Sequence, residues 1–206
     1  MRLAELSNAF EAWFQGSKVV KADGTPLLVY HGTPHGFSEF DPNKVGEGAD
    51  AYGSGYYYTP NPEVAHGYAI GPSGDSPNIR PSYLAIKRPL YVGDGGDCGK
   101  DLPLPTIKKL IISSPDCDEA LTNFGDIDYE GKENVLRAAL NSYKNHDYLR
   151  GLNLINTDFY RGREAQFLEN CIKSTPYDGV IVPYHEFYIA WSPKQIMSYF
   201  DRRIHG

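Results

Sequence analysis

Three local clusters hold residue types that could act on a bound ligand. In the first, Val29-Tyr30-His31-Gly32-Thr33, a histidine stands where a predicted strand gives way to a loop. A strand end holds an imidazole rigidly, and the adjacent glycine lets a ligand approach the backbone. A lone histidine is more often a structural hydrogen-bonder, so this cluster gains weight only beside the others. The second is Gly53-Ser54-Gly55-Tyr56-Tyr57-Tyr58-Thr59, followed by Ala65 and Tyr68. Strand side chains alternate, so Tyr56 and Tyr58 share one face and Tyr57 takes the other. One face should enter a core while the other lines a cleft. Two facing tyrosine rings make a slot for a planar ring, and a cationic ring gains about 0.5–2 kcal/mol more. The plainer reading is aromatic sheet packing. The third cluster, Tyr184-His185-Glu186-Phe187-Tyr188, puts a carboxylate at the start of a buried-looking strand. There it is costly unless paired, which makes it a functional candidate.

The elements that must position these clusters follow from periodicity and turn chemistry. Leu3, Leu6, Phe10, Trp13 and Phe14 recur at helical spacing, predicting an amphipathic helix over 3–15 that stops at Gly16. Two β-rich runs flank Ala22-Asp23-Gly24, a hairpin signal whose second strand runs from Leu27 to His31. Residues 34–54, rich in Gly, Pro, Asp and Asn, read as loop. GYYYT is a short strand, Pro62 opens a helix, and residues 82–92 form a strand interrupted by Pro89. Between 93 and about 156 the runs TIKKLIISS, CDEALTNF and GKENVLRAALNSYKNHDYLRGL read as mainly helical. They make an insertion, roughly 93–160, in a single domain spanning 1–206, or equally a helical layer of the same core. REAQFLENCI is a further helix, leading through Tyr177-Asp178-Gly179 into strand VIV and then FYIAW. Short strands at both ends with helices between them give an α+β class.

SKVVKADGTPLLVYHGT, FSEFDP, GSGYYYTPNPEVAHGYA and YDGVIV with FYIAWSPKQI together resemble the His–Tyr–Glu class of ADP-ribosyltransferases. That fold is shared with poly(ADP-ribose) polymerases and diphtheria-type toxins. The likeness is greatest to the small transferase domains of phage polyvalent proteins and bacterial toxin modules. It covers about half the chain and implies a split mixed or antiparallel sheet with flanking helices, acting on NAD without a metal. The resemblance gives His31 a hydroxyl of the adenosine ribose, and gives the Gly32 backbone the nicotinamide carboxamide. It lets Thr33 assist at the ribose, and stacks Tyr57 and Tyr68 on opposite faces of nicotinamide. The polymerase branch has a carboxamide-binding serine three residues before the second tyrosine, where this chain has Ala65.

The same likeness assigns Glu186 as the catalytic acid beside His31 and Tyr57. The family glutamate sits eight residues before the glutamine of the last motif; counting from Gln195, that position is Phe187. A one-residue shift turns a strand side chain to the other face unless a bulge restores it. His185, or Glu164 and Glu169 from the preceding helix, are the alternatives, as is a site with no acid.

Composition narrows the function classes. With 206 residues and a net charge of -6, the chain lacks the basic surface that a sequence-blind nucleic-acid binder needs. A protein acceptor fits better than a nucleic acid, although a nucleobase acceptor stays open. Three scattered cysteines form neither a disulfide framework nor a zinc cluster, and suit a reducing, cytoplasmic setting. Pro34 between His31 and His35 spoils a helical metal pair, and no third ligand stands near. Arg202, Arg203 and His205 read as a solvated tail, and Cys171 as core. No apolar run approaches the ~18 residues of a membrane span, and the start lacks a signal-peptide core. The leading expectation is a mono-ADP-ribosyltransferase of toxin or effector type. An NAD glycohydrolase, a non-catalytic NAD or ADP-ribose binder and a purely structural protein remain as alternatives.

Overall fold

The computed structural model describes residues 7–37, 40–41, 45, 51–70, 76–93, 101–115, 117, 136–137, 140–141 and 162–201. The chain divides into two compact units, one formed by Met1–Val45, Gly55–Pro89 and Asp178–Gly206, the other by Gly46–Ser54 and Leu90–Tyr177.

In the first unit, helix α1 covers Asn8–Phe14, with Ser7 as N-cap accepting a hydrogen bond from Phe10 N–H. The helix stops just before Gly16, as expected, and that residue's φ of +83° suits one without Cβ. Residues 3–6 of the predicted helix lie outside the described residues. Phe10, Phe14 and Met197 form a small core, with Trp13, Val20 and Tyr83 packed around it.

The expected hairpin reduces to a single bridge between Val20 and Pro26. Its turn is well built: Asp23 accepts from the Thr25 N–H and hydroxyl, and Gly24 has a φ of +83°. Val20 and Pro26 face each other as a non-hydrogen-bonded pair, flanked by bonds from Lys21 N–H to Thr25 O at 2.8 Å and from Leu27 N–H to Val19 O at 3.2 Å, and the pairing stops at these two bonds. The strand that follows, β1 (Val29–Thr33), therefore starts later than expected and pairs elsewhere.

Two antiparallel ladders fill the rest of the unit. One has the order β1–β3–β7, with β3 at Asn78–Leu84 and β7 at Ile196–Ser198. The other lays β2 (Tyr56–Tyr58), β6 (Phe187–Ala190) and β5 (Gly179–Val182) side by side in that order. The two meet at one bridge, Tyr30 with Thr59. Helix α2 (Pro62–Ala69) follows β2; Pro62 occupies its first turn, as predicted, and Asn61 caps it. Pro89 opens strand β4 (Pro89–Tyr91) instead of interrupting a longer one, because a proline is tolerated at a strand's first residue. The core is made by Val19, Val29, Tyr56, Tyr58, Leu84, Ile86, Ile181 and Ala190, with Phe40, Val45 and Tyr188 partly buried against it.

Gln195 knots the end of this unit together. Its Oε1 accepts from the N–H groups of Trp191 and Ser192 at 3.0 and 2.9 Å, and its Nε2 donates to Asp178 O at 2.6 Å. The Asp178 carboxylate in turn takes the N–H groups of Lys87 and Arg88.

In the second unit, α3 (Leu104–Ser113) and α4 (Gly162–Lys173) pack on each other. Ile107, Ile111, Leu168 and Cys171 are buried there, the cysteine as expected. Glu169 is buried too. Its carboxylate accepts from the N–H and hydroxyl of Ser54 at 3.2 Å each and pairs with Lys173 at 2.6 Å. The predicted helical runs CDEALTNF and GKENVLRAALNSYKNHDYLRGL fall almost wholly outside the described residues, as does the tail from Arg202 to His205. The architecture is α+β, with four α-helices and two sheets among the described residues.

Candidate active site

The site is set by the point where the two sheets part. Tyr30 exchanges both backbone hydrogen bonds with Thr59, at 2.7 and 3.1 Å. Backbone groups alternate sides along a strand, so His31 addresses β3 and Gly32 turns back toward the Thr59 side. Pro81, which stands opposite Tyr30 and has no N–H, agrees with this phase. Strand β2 has ended by then. The Gly32 N–H and C=O therefore face the gap between the sheets, and no described residue takes them up. Helix α2 closes the back of this position. A Cβ on Gly32 would lie 1.7 Å from the Ala65 carbonyl oxygen, so only glycine fits. Ala65 itself is fully buried.

The His31 side chain lies on the opposite face of β1, half-buried, with Nδ1 2.8 Å from the Tyr57 carbonyl oxygen. A carbonyl only accepts, so Nδ1 carries the proton and Nε2 of the neutral ring is left as an acceptor. Burial lowers the pKa of His31 below its ordinary 6.5; the Tyr57 carbonyl works against that, and the Arg80 guanidinium reinforces it. Its ring sits among Phe40 (5.3 Å between centroids), Tyr58 (5.4 Å) and Phe37 (6.3 Å).

The tyrosine triplet divides as alternation predicts. Tyr56 and Tyr58 are buried, and Tyr57, half-buried, points to the other face. There its ring meets the edge of Phe187 at 6.4 Å. Phe187, at the position where the family pattern puts its acid, thus shares a face with Tyr57. His185 stacks on Phe187 at 6.0 Å, and Tyr184 meets His185 edge-on at 4.9 Å. Tyr68, on α2 one turn beyond Ala65, is exposed and not in ring contact with Tyr57. Thr33 is buried, and its hydroxyl both donates to the His35 carbonyl and accepts from the His35 N–H, closing the end of β1.

Glu186 differs from the sequence expectation of a carboxylate in a buried strand. It is exposed and stands just before β6, as the C-cap of the 3-10 turn Pro183–His185. Its φ of +51° and ψ of +38° are left-handed, and it is the one non-glycine residue with positive φ among those described. The alternation argument therefore does not govern it, because a left-handed residue outside the ladder does not follow the strand's period of two. Among the alternatives, Glu169 is committed to Ser54 and Lys173, and the Glu164 side chain lies outside the described residues. No group of three or more potential metal ligands occurs among the described residues.

Arg80 was not legible as part of this neighbourhood. Register places it directly across from His31, which no local motif signals. FSEFDP marked Phe37 and Phe40 as a resembling stretch without suggesting that both rings pack on the imidazole.

A family model described as ADP-ribosyltransferase in polyvalent proteins matches residues 21–203 of the chain. No curated protein and no solved structure matches.

Proposed function

The chain belongs to the ADP-ribosyltransferases of polyvalent proteins, and from that premise we propose that it cleaves the nicotinamide–ribose bond of NAD and transfers ADP-ribose to a protein acceptor. The observation that carries this reading is the unclaimed backbone pair of Gly32 at the parting of the sheets. An N–H and a C=O on one residue match the acceptor and donor of a primary carboxamide. Tyr57 supplies a ring on the β2 side, and exposed Tyr68 a second from α2. The neutral His31 offers Nε2 to a ribose hydroxyl.

The chemistry asks little else of the protein. The bond between C1′ and the pyridinium nitrogen breaks with its electron pair going to nitrogen, so nicotinamide leaves neutral and needs no general acid. The ribose becomes oxocarbenium-like, as in glycoside cleavage. A carboxylate near it, for which we take Glu186, stabilises that charge. The acceptor nucleophile then bonds to C1′ and releases its proton. Net charge of -6 supports a protein acceptor over a nucleic acid, and we place the reaction in the cytoplasm, in an effector setting.

Phe187 at the family's acid position favours a second reading, a module that binds NAD or ADP-ribose without turning it over. Nicotinamide release from NAD, with and without cell lysate, separates the possibilities. Release that requires lysate supports the transferase, lysate-independent release indicates a glycohydrolase, and NAD binding without release supports the binding module.

A further inference from the structure

We propose that Arg80 is a positioning residue for His31, pinning Phe37 and Phe40 against the imidazole so that the ring stays docked on the Tyr57 carbonyl. Arg80 and His31 are direct cross-strand partners in the β1–β3 ladder. Their side chains therefore share one face, along with Val29, Thr33 and Ser82, all buried. From there the guanidinium lies over the Phe37 ring at 4.3 Å and the Phe40 ring at 5.5 Å. Nη1 also donates to the Phe37 carbonyl. The two rings are 4.8 Å apart, and Phe40 meets the imidazole edge-on and Tyr56 likewise at 4.9 Å. A continuous run of contacts thus joins Arg80 through Phe37 and Phe40 to His31. A planar fork that stacks and donates at once can do this, whereas an ammonium cannot.

The same charge acts on the imidazole directly. A fixed cation beside His31 disfavours the imidazolium, which would put a second donor where Nε2 must accept. The other groups facing His31 do not replace it. Strand β2 presents the Tyr57 carbonyl and the Tyr58 phenol, and the segment after β1 presents Phe37, Phe40 and Asp41, whose charge acts on Tyr56. From α2, on the far side of β1, Glu63 and His66 are exposed.

The catalytic part of this inference rests on the proposed NAD chemistry; the positioning part does not. The test therefore has two arms, run on wild type, Arg80→Met and Arg80→Lys. Nitrogen-15 NMR of the histidine rings, with His31 assigned through His31→Gln, reads the tautomer and titration midpoint directly. Wild type should show Nδ1–H and a midpoint below that of an ordinary histidine. Arg80→Met should raise the midpoint and mix the tautomers. Arg80→Lys should keep the midpoint low, because the charge stays, while the tautomers still mix.

In the second arm, kcat/KM for nicotinamide release should fall roughly tenfold to a hundredfold in Arg80→Met, the scale of a lost positioning contact. The acid limb of its pH profile should move to higher pH; Arg80→Lys should restore the limb but not the rate. If Arg80→Met does not fold, the lysine variant alone still decides between stack and charge. His31 tautomer and midpoint unchanged in folded Arg80 variants would overturn the proposal. Wild type that releases no nicotinamide even with cell lysate, yet gives the predicted NMR response, would sustain the positioning role and defeat the cleavage reading instead.

Discussion

The Tyr57 carbonyl oxygen lies 2.8 Å from His31 Nδ1, so the backbone of one sheet fixes the ring orientation of a side chain in the other. Both residues were singled out by type, yet their connection runs through the main chain of the very tyrosine whose ring faces away. Burial holds His31 neutral while the Tyr57 carbonyl leaves Nε2 as the acceptor, and a pH effect follows. Its folded pKa lies below the ordinary 6.5. The unfolded chain then binds more protons, and stability falls as pH drops from about 6.5 through the folded pKa. Chemical denaturation of wild type and His31→Gln across pH 7 to 4 checks this. The stability difference should narrow toward low pH in favour of the variant.

The tyrosine triplet should split by face. Tyr58 is 1% exposed, and Tyr58→Ala should cost about 3–5 kcal/mol, as for other large aromatic truncations. Tyr57→Ala should leave the fold largely intact and weaken NAD binding selectively. Urea unfolding paired with NAD titration reads both. Loss of folding in Tyr57→Ala would return that ring to the core.

The hydroxyl of Tyr56 is buried with no hydrogen-bond partner among the described residues. An unmade buried bond costs about 1–3 kcal/mol, so deleting the group is favourable. Tyr56→Phe should raise stability by about 1 kcal/mol, measured as a higher denaturation midpoint at unchanged slope.

Gly32→Ala should fail for a steric reason. The new Cβ would fall on backbone, 1.7 Å from Ala65 O and 2.7 Å from Ala65 C, and backbone cannot swing aside. The expected cost is about 3 kcal/mol, at the upper end for overpacking, together with loss of NAD binding. Calorimetric melting and NAD titration of the same sample provide the check.

Much of this arrangement is legible in the sequence. Alternation assigns the faces of Tyr56, Tyr57 and Tyr58 correctly, and Pro62 announces α2, because both are local rules. The hairpin at Asp23-Gly24 keeps its turn and one bridge, but the second run leaves its local partner after Leu27 and pairs with β3 from Val29 onward, a long-range choice that no local signal states. Arg80 stayed hidden because a cross-strand partner is set by register between segments 49 residues apart in sequence. The exposed setting of Glu186 escapes the sequence for a different reason. Period-two reasoning holds only inside a strand, and the left-handed turn at Glu186 ends just before β6 begins.

That left-handed conformation bears on the central claim, that this site cleaves NAD with Glu186 as its acid. A non-glycine residue held there costs about 1–2 kcal/mol, which glycine would relieve. The most direct measurement is nicotinamide release from NAD by wild type, Glu186→Gln and Glu186→Gly, each with its melting temperature. The account predicts release by wild type only, with Glu186→Gly melting higher than wild type while inactive. Undiminished release from a folded Glu186→Gln or Glu186→Gly would contradict it.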